Sequence, residues 1–195
     1  MNYFITGATG FIGKRLVKKL LTRRGAVVHF LIRTESRDKI PDLLNYWDAD
    51  EKRAIPITGD LVQPVLGVSA ADRRKLHGVD HFFHLAAVYD LSADAESQIA
   101  INVEGTKNAV ALANEVGAKV FEHVSSIAAA GMYEGVFRED MFDEAEGLDH
   151  PYFATKHESE KIARTETKMP WRVYRPALVV GDSRTGEMDK IDGPY

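Results

Sequence analysis

With 195 residues, 45% of them hydrophobic, the chain can bury one substantial core, and a single domain is expected. A formal net charge of −4 argues against a nucleic-acid binder, and the pairs Lys14-Arg15, Lys18-Lys19 and Arg23-Arg24 read as the solvated face of one helix. The absence of cysteine excludes disulfides, thiolate catalysis and cysteine-ligated metals.

In chain order, the apolar run Tyr3-Phe4-Ile5-Thr6 reads as a strand, Gly7-Ala8-Thr9-Gly10-Phe11-Ile12-Gly13 as a turn, and Lys14 to Leu21 as a helix. A strand beginning by Asn2 or Tyr3 leaves no cleavable signal expected ahead of it. No apolar run approaches the roughly 20 residues a membrane span needs, and a cytoplasmic protein is the expectation. In the glycine stretch, Gly7 permits a tight turn, Gly10 lets backbone approach a pyrophosphate and Gly13 lets helix pack on strand. The spacing Gly-x-x-Gly-x-x-Gly is weak by itself. Its place between a strand and a helix, whose first amides face a bound anion, points to a dinucleotide rather than an unliganded turn.

Further strands are expected at 26–32, 54–58, 80–86, 118–124 and 171–175, with the proline of Ala54-Ile55-Pro56-Ile57-Thr58 weakening the third. Between them lie a loop or helix over 36–51, a short helix over 69–77, a long amphipathic helix over 95–116 and a helix over 152–167. Apolar strands separated by helices imply an α/β fold, a doubly wound parallel sheet of Rossmann type in the order 3-2-1-4-5-6. Ligands then sit beyond the carboxyl ends of the strands.

The second strand ends in Arg33 where a carboxylate would take a ribose 2′-hydroxyl, and Glu35 comes two places too late for that role. Arg33 therefore points to NADP(H), stacking on adenine and pairing with the 2′-phosphate. Ser36 and Arg37 either assist or belong to a solvated loop. Within Gly59-Asp60-Leu61, Asp60 either accepts from the adenine amino group, with Leu61 beside the ring, or caps its own turn.

Three segments carry candidate chemistry. Ser126 ends the fifth strand, Tyr152 and Lys156 lie four residues apart on one helical face, and Asn102 lies on the long helix. A phenol, with a reference pKa of about 10, exchanges protons poorly at neutral pH, and a neighbouring lysine cation favours phenolate. Ser126 would hydrogen-bond a substrate carbonyl oxygen, and Asn102 would hold a water linking Lys156 to solvent. Tyr-x-x-x-Lys occurs by chance in many helices, so its force comes from its place in the series.

Gly7-x-x-Gly10-x-x-Gly13, Asp60, His84-Leu85-Ala86-Ala87, Asn102, Ser126, Tyr152-x-x-x-Lys156 and Arg175-Pro176 occur in an order that resembles the extended branch of the short-chain dehydrogenase/reductase superfamily. The resemblance covers essentially the whole chain. It implies Tyr152 as acid/base, Lys156 on the nicotinamide ribose and Ser126 orienting substrate. It also implies Gly7, Thr9, Gly10, Phe11, Ile12, Gly13, Arg33, Asp60, Leu61, Ala86, Ala87, Tyr152, Lys156 and Pro176 as cofactor contacts. The stretches from His81 to Asp90, His123 to Gly131, Phe137 to Phe142 and Val180 to Lys190 are similar to the N-terminal portion of bacterial fatty acyl-CoA reductases, with part of the pattern shared by thioester reductases. That implies NADPH-dependent reduction of a fatty acyl thioester, such as an acyl-CoA, or of a fatty aldehyde.

Members of the branch continue into a smaller substrate lobe, whereas this sequence stops at Gly193-Pro194-Tyr195. The expectation is a dinucleotide-binding domain over 1–195, the N-terminal part of a longer reductase with its C-terminal substrate lobe absent. By analogy, a homodimer forms through a bundle containing the Asn102 and Tyr152 helices. A nucleotide-sugar epimerase or dehydratase is the alternative on the same scaffold, and Arg33 speaks against its tightly held NAD. A dinucleotide sensor without catalysis is the third reading, against which stand Tyr152 and Lys156. Seven histidines invite a metal, but no carboxylate cluster has ligand spacing, and no metal is expected. The acidic run from Glu139 to Asp149 reads as a solvated loop, Trp47 as core, and Met132 and Tyr133 as either core or an acyl channel.

Overall fold

The computed structural model describes residues 1–88, 94–186 and 188. Tyr89, Asp90, Glu187, Asp189 and Lys190, which contributed to the sequence resemblance, and Gly193-Pro194-Tyr195, where the sequence stops, lie outside the described residues. Six strands form one sheet: β1 (Asn2–Thr6), β2 (Val27–Ile32), β3 (Ala54–Thr58), β4 (His81–His84), β5 (Phe121–Val124) and β6 (Trp171–Tyr174). Their order is β3-β2-β1-β4-β5-β6, and every neighbouring pair is parallel. This is the doubly wound arrangement that the sequence predicts. Pro56 sits in β3 at the sheet edge, where a missing ladder donor is tolerated.

Alternation along the strands divides the core in two. Tyr3 and Ile5 join Val28, Phe30 and Trp47 on one face, beneath α1 (Phe11–Leu21) and α2 (Ile40–Trp47). Phe4 points the other way and packs with Phe82, Phe121, Leu112 and Ile162. That face is covered by α5 (Gly105–Glu115) and α6 (Pro151–Glu166). Trp47 is core, as expected, and its Nε1 donates to the Lys14 carbonyl at 2.9 Å.

Several boundaries differ from the sequence pattern. The segment 36–51 divides into a 3-10 turn, Thr34–Lys39, and α2. The short helix is α3 (Ala70–Leu76), capped by Ser69, whose side chain accepts from the Asp72 amide. The helix expected over 95–116 is α4 (Ala95–Gln98), then a π-helical segment, Ile99–Glu104, then α5. The π segment changes the backbone register without any Gly or Pro to announce it, so the apolar periodicity reads through. β4 ends at His84, two residues earlier than expected, because the chain there turns to pack Ala86 against the glycine turn. No described helix is long and apolar enough to cross a membrane.

Candidate active site

β1 delivers Thr6 to the glycine turn, where Gly7 has φ +74 and a Cβ would lie 2.7 Å from the Ala86 amide nitrogen. Glycine is required there by conformation and by space. A Cβ on Gly13 would overlap the Gly7 carbonyl oxygen and lie 2.8 Å from the Gly7 carbonyl carbon, so α1 meets the turn only because residue 13 has no side chain. Gly10 donates to the Gly7 carbonyl at 3.0 Å and stands as N-cap of α1. It offers no side-chain cap, and no acidic residue occupies the first helical turn. The helix start is thus presented to an anion, with Thr9, Gly10 and Ile12 exposed and Phe11 half-buried beneath the Arg15 guanidinium, 4.4 Å from its ring. These features fit a dinucleotide pyrophosphate.

Arg33 follows β2 directly and pairs with Glu35 at 3.2 Å, both side chains being more than 60% exposed. Arg37 instead donates to the Thr58 hydroxyl at 2.8 Å, bracing the ends of β2 and β3. The Asp60 carboxylate accepts from the Val62 amide at 3.1 Å, so it serves its own turn. Leu61 is held by Asn108, whose side-chain nitrogen donates to the Leu61 carbonyl at 2.8 Å. Ala86 and Ala87 are half-buried in the loop after β4, and the Pro176 carbonyl accepts from the Ile127 amide at 3.2 Å.

Ser126 leaves the end of β5 and caps a 3-10 turn, Ile127–Ala130, its Oγ accepting from the Ala128 amide at 3.1 Å. α6 packs on that turn, and His157 Nδ1 meets the Ala129 carbonyl at 3.0 Å. Lys156 is 4% exposed and donates from Nζ to the Val124 carbonyl at 3.1 Å. Burial lowers its pKa to about 8, against a raising influence from Glu160. Tyr152 lies one turn earlier on α6, half-buried. α6 thus ties Lys156 to the last residue of β5, two positions before Ser126, and Tyr152 stands one helical turn ahead of Lys156.

Asn102, in the π segment, makes its hydrogen bonds to protein. Its Oδ1 accepts from the Val88 amide at 2.8 Å, and its Nδ2 donates to the Val88 carbonyl at 3.0 Å and to the Thr155 hydroxyl at 3.2 Å. Sequence reasoning missed several groups that hold this site. Glu160, fully buried, accepts from Arg175 Nε at 3.0 Å and Arg164 Nε at 2.8 Å, and Arg175 also donates to the Met141 carbonyl at 2.8 Å. His84 lies between Thr6 and Thr106. The signal for His84 was a polar residue at an inward position of an apolar strand. Glu160 gave none, since a glutamate within a charged helix reads as surface. Among the two residues left open, Met132 is 66% exposed, and Tyr133 packs edge-on to Phe137 at 5.4 Å.

Residues 5–195 match the model of an NAD-binding family described as "Male sterility protein". A linear gramicidin synthase of Brevibacillus parabrevis is 32% identical over 204 residues, spanning 96% of this chain and 4% of that protein. Fatty acyl-CoA reductase wat of Drosophila melanogaster is 32% identical over 239 residues, spanning 98% of this chain and 46% of that protein. The crystal structure of the terminal R domain from the myxalamid PKS-NRPS biosynthetic pathway superposes with a TM-score of 0.83 at 28% identity, covering 96% of this chain and 52% of that one. The chain thus spans less than half the length of these curated relatives.

Proposed function

The chain belongs to the male sterility protein family of NAD-binding domains, and on that premise we propose that it is the dinucleotide-binding part of an NADPH-dependent reductase of fatty acyl thioesters or fatty aldehydes. The observation that carries the reading is Lys156, a buried lysine fixed on the Val124 carbonyl one helical turn from Tyr152 and beside the Ser126 turn. When bound, the reduced nicotinamide supplies the hydride. Ser126 Oγ holds the substrate carbonyl oxygen, and the Tyr152 phenol gives that oxygen its proton. The Lys156 ammonium, with a pKa of about 8, is still mostly charged at neutral pH and stands one helical turn from that phenol. Asn102 holds the Val88 segment against Thr155 of α6.

Arg33, at the end of β2 and free to leave an exposed ion pair, supports the choice of NADPH. The exposed apolar side chains of Ile127, Met132 and Val136, in the segment that follows Ser126, suit an acyl chain. A homodimer through the helices carrying Asn102 and Tyr152 is the assembly this reading expects.

The test is a Tyr152→Phe substitution read by two measurements. In a longer reductase that carries this domain together with a substrate lobe, calorimetric titration with NADPH should still show binding, while reduction of a long-chain acyl-CoA or the matching aldehyde should fall about 10²-fold or more. Undiminished turnover in the variant would remove Tyr152 from the chemistry, and a wild-type chain that binds no dinucleotide would remove the reading altogether.

A further inference from the structure

The polar core residues around His84 have donors and acceptors that can be assigned one by one. The Ala86 amide donates to Thr6 Oγ1 at 3.3 Å, and the same hydroxyl lies 2.8 Å from His84 Nδ1, to which it can donate its hydrogen. On the other side of the ring, Thr106 Oγ1 donates to the Asn102 carbonyl at 2.6 Å and accepts from His84 Nε2 at 3.0 Å. His84 Nε2 therefore carries a proton. The run continues beyond Thr106, since the Asn102 side chain reaches the Thr155 hydroxyl, and that hydroxyl donates to the Tyr152 carbonyl at 3.2 Å.

Thr6, His84, Thr106, Asn102 and Thr155 are all buried. Stacked beside the ring is His123, 5.7 Å between centroids, and Lys156 adds a positive charge on the α6 side. Burial and Lys156 push the His84 pKa down to about 3, which leaves the ring neutral and its Nδ1 able to accept from the Thr6 hydroxyl.

We propose that His84 is a positioning residue: its Nε2-protonated ring locks the glycine turn, through Thr6, to the π segment, through Thr106, and so holds the dinucleotide seat in register with α6. The residues it joins belong to four separate elements, and among the described residues no backbone hydrogen bond links the glycine turn to the π segment or to α6. A misplacement of about 1 Å at such a site is enough to cost orders of magnitude in rate. The inference rests on the dinucleotide reading above, and its test separates the two.

Nitrogen-15 NMR of the imidazoles in the wild-type chain should show His84 with a protonated Nε2 and a bare Nδ1 throughout pH 5–8. Calorimetry with NADP⁺ should show affinity weakened about tenfold in His84→Phe, which keeps the stacking on His123 but makes neither hydrogen bond. Thr106→Val should weaken it in the same direction, and Thr106→Ser, which keeps the hydroxyl, should restore it. In the His84→Phe background Thr106→Val should cost nothing further, because its effect passes through the ring. Should His84→Phe fail to fold, the Thr106→Val and Thr106→Ser pair decides the matter. Wild-type affinity in folded His84→Phe or Thr106→Val, a protonated Nδ1, or additive effects would overturn the inference alone. A wild-type chain that binds no NADP⁺ would withdraw the dinucleotide reading and with it anything for His84 to position.

Discussion

Lys156 and Val124 meet in the interior of the protein, the ammonium donating to the strand carbonyl at 3.1 Å from a side chain only 4% exposed. Taking an ammonium out of water is costly unless it is paired, and a carbonyl is a partial substitute for the water it replaces.

The gap between a folded-state pKa of about 8 and the ordinary 10.5 corresponds to about 3 kcal/mol. Because the folded pKa lies below the unfolded one, the unfolded chain binds more protons between pH 8 and 10.5. The contribution of Lys156 to stability therefore improves as pH rises through that window and is unfavourable at neutral pH. Lys156→Met should raise stability near pH 7 by about 1–3 kcal/mol while removing activity. Thermal melts of the two proteins check this, and a lower melting temperature for the variant would count against it. In the wild type, kcat/KM should fall on the alkaline side with a midpoint near pH 8, as the ammonium is lost.

Gly13 permits a contact that no other residue can make. Any Cβ there runs into the Gly7 carbonyl, which is backbone and cannot rotate away. Gly13→Ala should cost about 2–4 kcal/mol in denaturant unfolding and abolish dinucleotide binding, because α1 must move off the turn proposed to seat the phosphates. Gly25→Ala makes the control, since φ there is +70 but a Cβ at Gly25 meets nothing. It should lose only the smaller cost of a left-handed backbone, about 1 kcal/mol.

How far the sequence discloses this molecule depends on whether a constraint is local. The strand order, the glycine turn and the edge position of Pro56 follow from periodicity and from residues whose conformational limits are their own. The Tyr152 and Lys156 spacing is likewise a helical repeat and can be read directly. Lys156 being buried, Asn102 spending its amide on Val88 and His84 joining Thr6 to Thr106 are long-range facts. They depend on which strand lies beside which and on a π segment that leaves no mark in the apolar pattern. Glu160 is the extreme case, a carboxylate that looks like helix surface until Arg175, fifteen residues on, is brought back to it.

Glu160 links α6 to β6 and, through Arg175, to the Met141 carbonyl in the loop between Ser126 and Tyr152. Burial works to raise its pKa, but the hydrogen bonds and charge of Arg175, with Arg164 added, hold it below the ordinary value. Its stabilisation is thus complete above the unfolded carboxyl pKa of 4.5 and is lost as pH falls through the lower folded value. Glu160→Gln should destabilise by about 3 kcal/mol, because it leaves two part-buried guanidinium groups without their counter-ion. It should also flatten the acid limb of a stability-against-pH curve measured by urea unfolding, and an unchanged limb would place the acid sensitivity elsewhere.

Arg33 and Glu35 offer a test of cofactor choice that needs no turnover. Both lie on the surface, so the ion pair between them contributes little and can be exchanged for a phosphate at small cost. A guanidinium bound to a 2′-phosphate in their place would be worth about 1.5–3 kcal/mol, so Arg33→Ala should weaken NADPH binding about 10- to 100-fold while leaving NADH within about twofold. Glu35→Gln should act in the opposite direction, strengthening NADPH a few-fold by removing both the competitor for Arg33 and a like charge near the phosphate. Titration with 2′,5′-ADP against 5′-ADP isolates this end of the cofactor. If both nucleotides bind the wild-type chain equally, or if Arg33→Ala weakens both alike, Arg33 does not read the 2′ position and the preference for NADPH has no basis in β2.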